Sequence, residues 1–252
     1  MNVNALRFAA PVERRVALVT GGAQGIGRAC ALRLAQAGRD VVIADVDPQG
    51  AEVAGDVERL GQKALWVSID VTDEAAVRGM VEGAKAALGR LDILVCCAGV
   101  LGMEKPFFEQ SAAEFDRVMR VNVYGVYYAH QAAIPLMLER GWGRCVTITS
   151  GARHGVPLLV PYSVSKGAVY SLVQSLGNAF PRQGVFVNGV EPGRVLTQMV
   201  VPRFSPEHLA DPGNPIGRYA DAEEIAEVVE FLASERNTYT TGAIWSVKGG
   251  AG

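Results

Sequence analysis

The sequence predicts an α/β fold, a doubly wound parallel sheet of about seven strands flanked by helices. Three observations carry this expectation. Short apolar runs of strand length alternate with longer segments whose apolar residues return at helical spacing. The turns between them are short and glycine-rich, in a chain with 29 glycines. The 252 residues hold no internal repeat, linker or low-complexity stretch, so residues 1–252 read as a single domain able to bury a large core.

The elements follow in order. Val-Ala-Leu-Val within Arg15–Thr20 is a buried first strand that stops at Gly21-Gly22. Ile26, Cys30, Leu32 and Leu34 then mark a helix ending near Gly38. Val41–Ala44 is the second strand, with Asp45 at its end, and Ala51–Leu60 is a helix closed by Gly61. Ala64–Ile69 is the third strand, followed by Asp70. Asp73–Leu88 is a helix with Asp73 as N-cap and Gly89 as stop. Leu91–Cys97 is the fourth strand, running into Ala98-Gly99. Ser111 caps one long helix through Val121, Tyr128, Ala132 and Leu138. Gly143–Thr149 is the fifth strand, and a helix entered through Pro161 runs to about Phe180. Val185–Val190 is the sixth strand, Ala222–Ser234 a helix and Ala243–Val247 a last strand. Arg194–Gly217 has several prolines and no period, and reads as a short lid or an ordinary surface excursion.

An apolar content of 49%, with 20% charged residues, is that of a soluble globular chain. A net charge of −2 leaves no electrostatic footprint for nucleic acid or an anionic membrane, and no apolar run approaches a bilayer span. Residues Met1 to Arg15 contain no secretory h-region. Of the four cysteines, Cys30, Cys97 and Cys145 fall in or beside apolar patterns, and adjacent Cys96 and Cys97 are either free thiols or a redox pair. Together these point to a reducing, cytoplasmic setting, and no metal-ligand spacing is expected.

Chemistry concentrates in Ser150–Lys166. Tyr162 and Lys166 are four residues apart, so on a helix they share a face. An ammonium beside a phenol favours phenolate, which suits the phenol to proton transfer with a substrate oxygen. Ser150 ends a strand, at the sheet edge where ligands bind in parallel α/β folds. Seven tyrosines make a chance Tyr-x-x-x-Lys match common, so the pair needs support from elsewhere. The stretch Thr20-Gly21-Gly22-Ala23-Gln24-Gly25-Ile26-Gly27 supplies it, because a glycine-rich turn between strand and helix lets main-chain N–H groups approach a pyrophosphate. Asp45, close to twenty residues on, is placed to bond ribose hydroxyls and to repel a 2′-phosphate, which favours NAD(H); its alternative is to end the strand or cap the next helix. Asn122, polar inside an apolar stretch, is either functional or a satisfied structural group.

With these residues in place, nearly the whole chain resembles the short-chain dehydrogenase/reductase family. The glycine stretch, including Gly21, Gln24, Gly25, Ile26 and Gly27, is similar to its cofactor motif, and Asp70-Val71 to its adenine-contacting pair. Asn122, Ser150, Tyr162 and Lys166 fall where its catalytic tetrad stands. Pro192-Gly193, with Val195 and Thr197, resembles its segment along the nicotinamide, and Gly249-Gly250 its usual ending. The resemblance implies a Rossmann-like NAD enzyme acting on a secondary alcohol or ketone. In it Tyr162 is the general acid or base, Lys166 tunes Tyr162 and holds the nicotinamide ribose, Ser150 positions the substrate oxygen, and Asn122 anchors a water feeding protons to Lys166. It also implies a homo-oligomer, commonly a tetramer, paired through the helices from Ser111 and Tyr162. A 3-oxoacyl thioester reductase and a non-catalytic NAD-binding regulator are the alternatives.

Two departures stand out. The family usually carries Asn-Asn-Ala-Gly where this chain has Cys96-Cys97-Ala98-Gly99. The Ser150–Tyr162 interval is one residue short, so that Thr149 keeps the usual spacing while Ser150 matches the strand end. Arg153 and His154 in that interval either face the substrate mouth or are solvated. Leu196, Met199, Val200, Val201 and Phe204, with Leu101 and Met103, suggest an apolar pocket or core packing.

Overall fold

The computed structural model of the protein describes residues 14–198 and 213–251. Seven strands form one parallel sheet: β1 (Val16–Thr20), β2 (Asp40–Asp45), β3 (Ala64–Ser68), β4 (Ile93–Cys96), β5 (Gly143–Ile148), β6 (Val185–Pro192) and β7 (Ile244–Val247). Their order is β3-β2-β1-β4-β5-β6-β7, so the chain runs out one way from β1, then reverses through β4. That reversal opens a crevice at the carboxyl ends of β1 and β4, the usual ligand position in such sheets.

Alternate residues of each strand feed opposite layers. Leu18, Val42, Leu94, Cys145 and Val187 face one core with α3 (Glu74–Leu88), α5 (Gly125–Glu139) and α6 (Val160–Ala179). Val19, Val41, Ile43, Val95, Val146 and Val190 face the other, with α1 (Gly25–Gln36), α2 (Gly50–Arg59) and α7 (Ala222–Ala233). Strands buried on both faces read as continuous apolar runs, which is why they stand out in the sequence.

The caps read from sequence are in place. Asp73 accepts from Ala76 N–H at 3.0 Å, and Gly89 closes α3 in the left-handed region at φ 80°. Ser111 accepts from Glu114 N–H at 3.2 Å to start α4 (Ala112–Met119). The long helix expected after Ser111 is not continuous. A π-helical turn over Arg120–Tyr124 separates α4 from α5, with Asn122 at its centre. The β4 strand is also shorter than expected, starting at Ile93. Of the segment read as a lid, residues 199–212, including Met199, Val200, Val201 and Phe204, lie outside the described residues. No helix among the described residues is long and apolar enough to cross a membrane.

Candidate active site

A cavity of about 970 Å³ opens over the carboxyl ends of β1, β2, β4, β5 and β6. Its volume is at the upper end of what small-molecule sites occupy. Its wall brings together Gly21, Gln24, Gly25, Ile26 and Gly27 of the first turn, Asp45 and Asp70-Val71 of the next two strand ends, and Ala98-Gly99 after β4. Ser150, Tyr162, Lys166, Pro192, Gly193, Val195 and Thr197 complete it. Asn122, alone among the expected site residues, does not line the cavity.

The glycine turn is shaped for close backbone approach. A Cβ on Gly27 would lie 1.9 Å from the Gly21 carbonyl oxygen, and one on Gly21, at φ 69°, would lie 2.5 Å from Ala98 N. No larger residue fits either place, so main chain rather than side chain faces the cavity at the start of α1. The helix dipole favours an anion there. Asp45 holds this geometry from the next strand: Ala23 N–H donates to its Oδ2 at 3.0 Å and Asp47 N–H to its Oδ1 at 3.1 Å. Gln24 Oε1 is buried beside the turn with no partner among the described residues. A bare main-chain cradle, a carboxylate and an unpaired polar atom fit the pyrophosphate and ribose of a dinucleotide.

Across the cavity, α6 carries Tyr162 and Lys166 one turn apart, with Pro161 in its first turn as expected. Lys166 is buried; its Nζ donates to the Ile148 carbonyl at 2.9 Å and lies 5.6 Å from the Tyr162 ring centroid. The two candidates for the substrate-positioning hydroxyl differ in what they bond. Thr149 Oγ1 is buried and donates to the Val190 carbonyl on β6 at 2.9 Å. Ser150 Oγ accepts from Ala152 N–H at 3.2 Å, an acceptor role that leaves its proton for another oxygen.

Asn122 is fully engaged. Its Oδ1 accepts from Val100 N–H at 2.8 Å, while its Nδ2 donates to the Val100 carbonyl at 2.9 Å and to Ser165 Oγ at 3.0 Å. Ser165 in turn donates to the Tyr162 carbonyl at 2.7 Å. Asn122 therefore links the β4 loop, the π turn and the first turn of α6. Ser165 was not singled out by sequence reasoning. Its only local signal is its place just before Lys166, because its partner on the π turn is 43 residues away.

The cysteine pair that departs from the family pattern splits between two environments. Cys96 is buried, its Sγ 4.0 Å from His130 Nδ1. That nitrogen is 2.8 Å from the Val126 carbonyl, so His130 bonds its own helix. Burial pushes the Cys96 thiol up and the imidazole down, both away from a thiolate–imidazolium pair. Cys97 lines the cavity floor, its thiol raised by a hydrogen bond with Cys30 and by burial. All four cysteines are free thiols. Arg153 and His154 do not line the substrate mouth. His154 is exposed, whereas the Arg153 guanidinium turns inward to Glu191 at 2.7 Å. Leu101 lines the cavity, but Met103 and Leu196 are exposed.

Known proteins resemble the chain in sequence and in fold. A family model described as enoyl-(acyl carrier protein) reductase matches residues 21–252. The 2-dehydro-3-deoxy-L-rhamnonate dehydrogenase (NAD(+)) of a Sphingomonas species is 34% identical, covering 96% of this chain and 97% of its own. The cis-4-hydroxycyclohexanecarboxylate dehydrogenase of Sinomonas cyclohexanicum is 39% identical, covering 94% and 96%. The crystal structure of a short-chain type dehydrogenase/reductase from Mycobacterium marinum superposes with a TM-score of 0.88 at 32% identity, covering 95% and 96%. By sequence and fold, the chain belongs to the short-chain dehydrogenase/reductase family.

Proposed function

We propose that the protein transfers hydride between NAD(H) and a secondary alcohol or its ketone, with Tyr162 as general acid and base. The observation that carries this reading is the sharing of one cavity by Tyr162, Lys166 and Ser150 with the glycine turn and Asp45. The named relatives, dehydrogenases of hydroxylated rings and sugar acids, support the substrate class.

When bound, NAD supplies the hydride acceptor, and the chain supplies everything else. The glycine turn at the start of α1 would hold the pyrophosphate and Asp45 the adenosine ribose. Asp70 and Val71 would flank the adenine, while Lys166 and Tyr162 would contact the nicotinamide ribose. Ala98-Gly99, Pro192-Gly193, Val195 and Thr197 would line its path to the nicotinamide. In oxidation Tyr162 would act as general base and take the hydroxyl proton of the substrate, with bound NAD supplying the hydride acceptor. In reduction Tyr162 returns that proton to the carbonyl oxygen. Ser150 donates to the substrate oxygen and stabilises charge developing there. The Asn122 side chain is occupied by Val100 and Ser165, so a water passing protons to Lys166 would be held by main-chain groups of the π turn, where the regular ladder is interrupted.

The 3-oxoacyl thioester-reductase alternative shares only an acyl-thioester substrate with the description of the matched family model, since an enoyl reductase acts on a carbon–carbon double bond; it also calls for NADPH in this family, and the Asp45 carboxylate repels a 2′-phosphate. A regulator without catalysis has no need of the Ser150, Tyr162 and Lys166 set. Exposed Tyr124, Tyr127 and Val164 on the helical surface around the π turn and α6 support pairing into a homotetramer. The four free thiols suit a cytoplasmic setting. The chain is read as one dinucleotide-binding unit.

Tyr162→Phe tests the mechanism. Turnover of secondary alcohols, followed by NADH absorbance, falls by about 10³-fold, while the NADH dissociation constant changes less than about twofold. Retained turnover overturns the mechanism.

A further inference from the structure

Glu191 is the last residue of β6 before Pro192, and only 2% of it is exposed. Both its carboxylate oxygens are bonded to cations from other elements. Arg153 Nε, in the turn after Ser150, donates to Oε2 at 2.7 Å, and Lys248 Nζ, just past β7, lies 3.0 Å from Oε1. The Arg153 guanidinium also stacks 4.2 Å from the ring centroid of Tyr170, one turn beyond Lys166 on α6. The same group of elements is tightly fitted elsewhere. Gly193 N–H donates to the Val247 carbonyl at 2.8 Å, and a Cβ on Gly193 would meet the Lys248 Cα at 2.8 Å. One buried carboxylate thus joins the Ser150 turn, the Pro192–Gly193 segment, the end of β7 and, through Arg153, the helix of Tyr162. None of Arg153, Tyr170, Glu191 and Lys248 lines the cavity.

We propose that Glu191, clasped by Arg153 and Lys248, is a positioning residue that holds the Ser150 turn in register with the Pro192–Gly193 segment and so places the Ser150 hydroxyl at the reacting oxygen. This rests on the reading of Ser150 and Tyr162 given above. A charge so deeply buried is costly unless both partners stay in place, so the cluster is either closed or broken, with little between. The turn it holds is short and has only the Ala152–Ser150 bond and two further main-chain bonds within itself. Its ends are tied, by the two bonds from Thr149 to the Val190 carbonyl and by the Val156 N–H bond to Ser163, and between them the clasp is what holds the turn to β6.

The test uses the full-length protein with NAD+ and cyclohexanol, together with hydrogen exchange of residues 150–156, which needs no substrate. Arg153 is part-exposed, so Arg153→Met leaves the core intact and avoids burying a new charge. It lowers kcat at least about tenfold, because small displacements of reacting groups have large rate effects. It speeds amide exchange in residues 150–156 about tenfold and leaves the NADH dissociation constant within about twofold. Arg153→Lys, which keeps the charge, recovers part of both. Glu191→Gln reproduces the kcat loss, and the double variant Arg153→Met with Glu191→Gln is no slower than the worse single one. A wild-type kcat, or wild-type exchange, in Arg153→Met overturns the proposal, even if Glu191→Gln fails to fold. Tyr162→Phe runs alongside: if it stays active, the reading of the site is wrong; if it is inactive while Arg153→Met turns over normally, only the role of the clasp is wrong.

Discussion

The two ends of the sheet are both polar, but they are built in opposite ways. At the amino ends of β1, β4 and β5, charges close on one another. Asp92, fully buried, accepts from Arg90 at 2.7 Å and from Val16 N–H at 3.0 Å, with Arg15 Nη1 at 3.4 Å. Arg15 also bonds Glu235 at 2.6 Å and lies 3.4 Å from the Trp142 ring centroid. Arg144 sits 4.5 Å from the same ring and donates to three main-chain carbonyls. Burial and the nearby Arg15 charge push it down to about 10, which leaves it charged at neutral pH. At the carboxyl ends the cavity is lined by glycines, by apolar side chains such as Val46, Leu101 and Val121, and by a few polar side chains with bonding capacity left over. The lesson is that burial of charge at one edge gives rigidity without a site, while the other edge withholds side chains to leave room for a ligand. The Glu191 clasp is the one place among the described residues where the closed style of construction appears behind the open edge.

Variants at the closed edge therefore change stability and leave catalysis alone. Asp92→Ala leaves Arg90 and Arg15 without their shared carboxylate and should cost about 3–5 kcal/mol. In a chain of this size that lowers the melting temperature by roughly 10 °C. Below the transition, kcat and the KM for NAD+ stay within about twofold of the parent. A changed KM at unchanged melting temperature would erase the distinction between the edges.

Variants at the open edge should do the reverse, and neighbouring residues on one strand end sharpen the contrast. Ser150→Ala should lower kcat by about 10²–10³-fold, as loss of a donor to a developing oxyanion does, with little change in melting temperature. Thr149→Val removes only the bond to Val190 and should destabilise by about 1 kcal/mol, with kcat nearly unchanged. The opposite outcome would assign the substrate oxygen to Thr149 and restore the usual spacing to Tyr162.

Much of this arrangement was legible in the sequence, where the determinants are local. The apolar run of β1, the glycine turn and Asp45 lie within about thirty residues of one another, and strand-end chemistry follows from the fold class. Tyr162 and Lys166 share a helix, so their spacing alone sets their geometry. What could not be read depends on partners distant in sequence. Residues 112–139 look like one helix because their apolar period is nearly unbroken; the π turn at Asn122 goes with bonds to Val100 and Ser165, which no local pattern records. Arg153 seemed either solvated or aimed at substrate because its partner Glu191 is 38 residues on, at the end of another strand.

The smallest expected effect concerns acid, and it compares one carboxylate at each edge. Glu191 at the open edge and Glu235 at the closed edge are both held below the usual carboxylate range. In each, burial pushes the group up, but hydrogen-bonded cations outweigh it: Arg153 and Lys248 at Glu191, Arg15 and Arg39 at Glu235. A folded-state value below the unfolded one, near ~4.3 for Glu, means that the unfolded chain binds a proton first. The stability each contributes is therefore complete above that unfolded value and is lost as pH falls through the depressed folded value. Urea midpoints measured from pH 7 to pH 3 should be nearly flat above about pH 5 and fall steadily below it. Glu191→Gln is less stable at neutral pH but should show a shallower fall, because one of the protons taken up on acid unfolding is gone. A slope between pH 5 and pH 3 equal to that of the parent would mean that Glu191 does not titrate in this range, and that the acid sensitivity belongs to other depressed carboxylates such as Glu235.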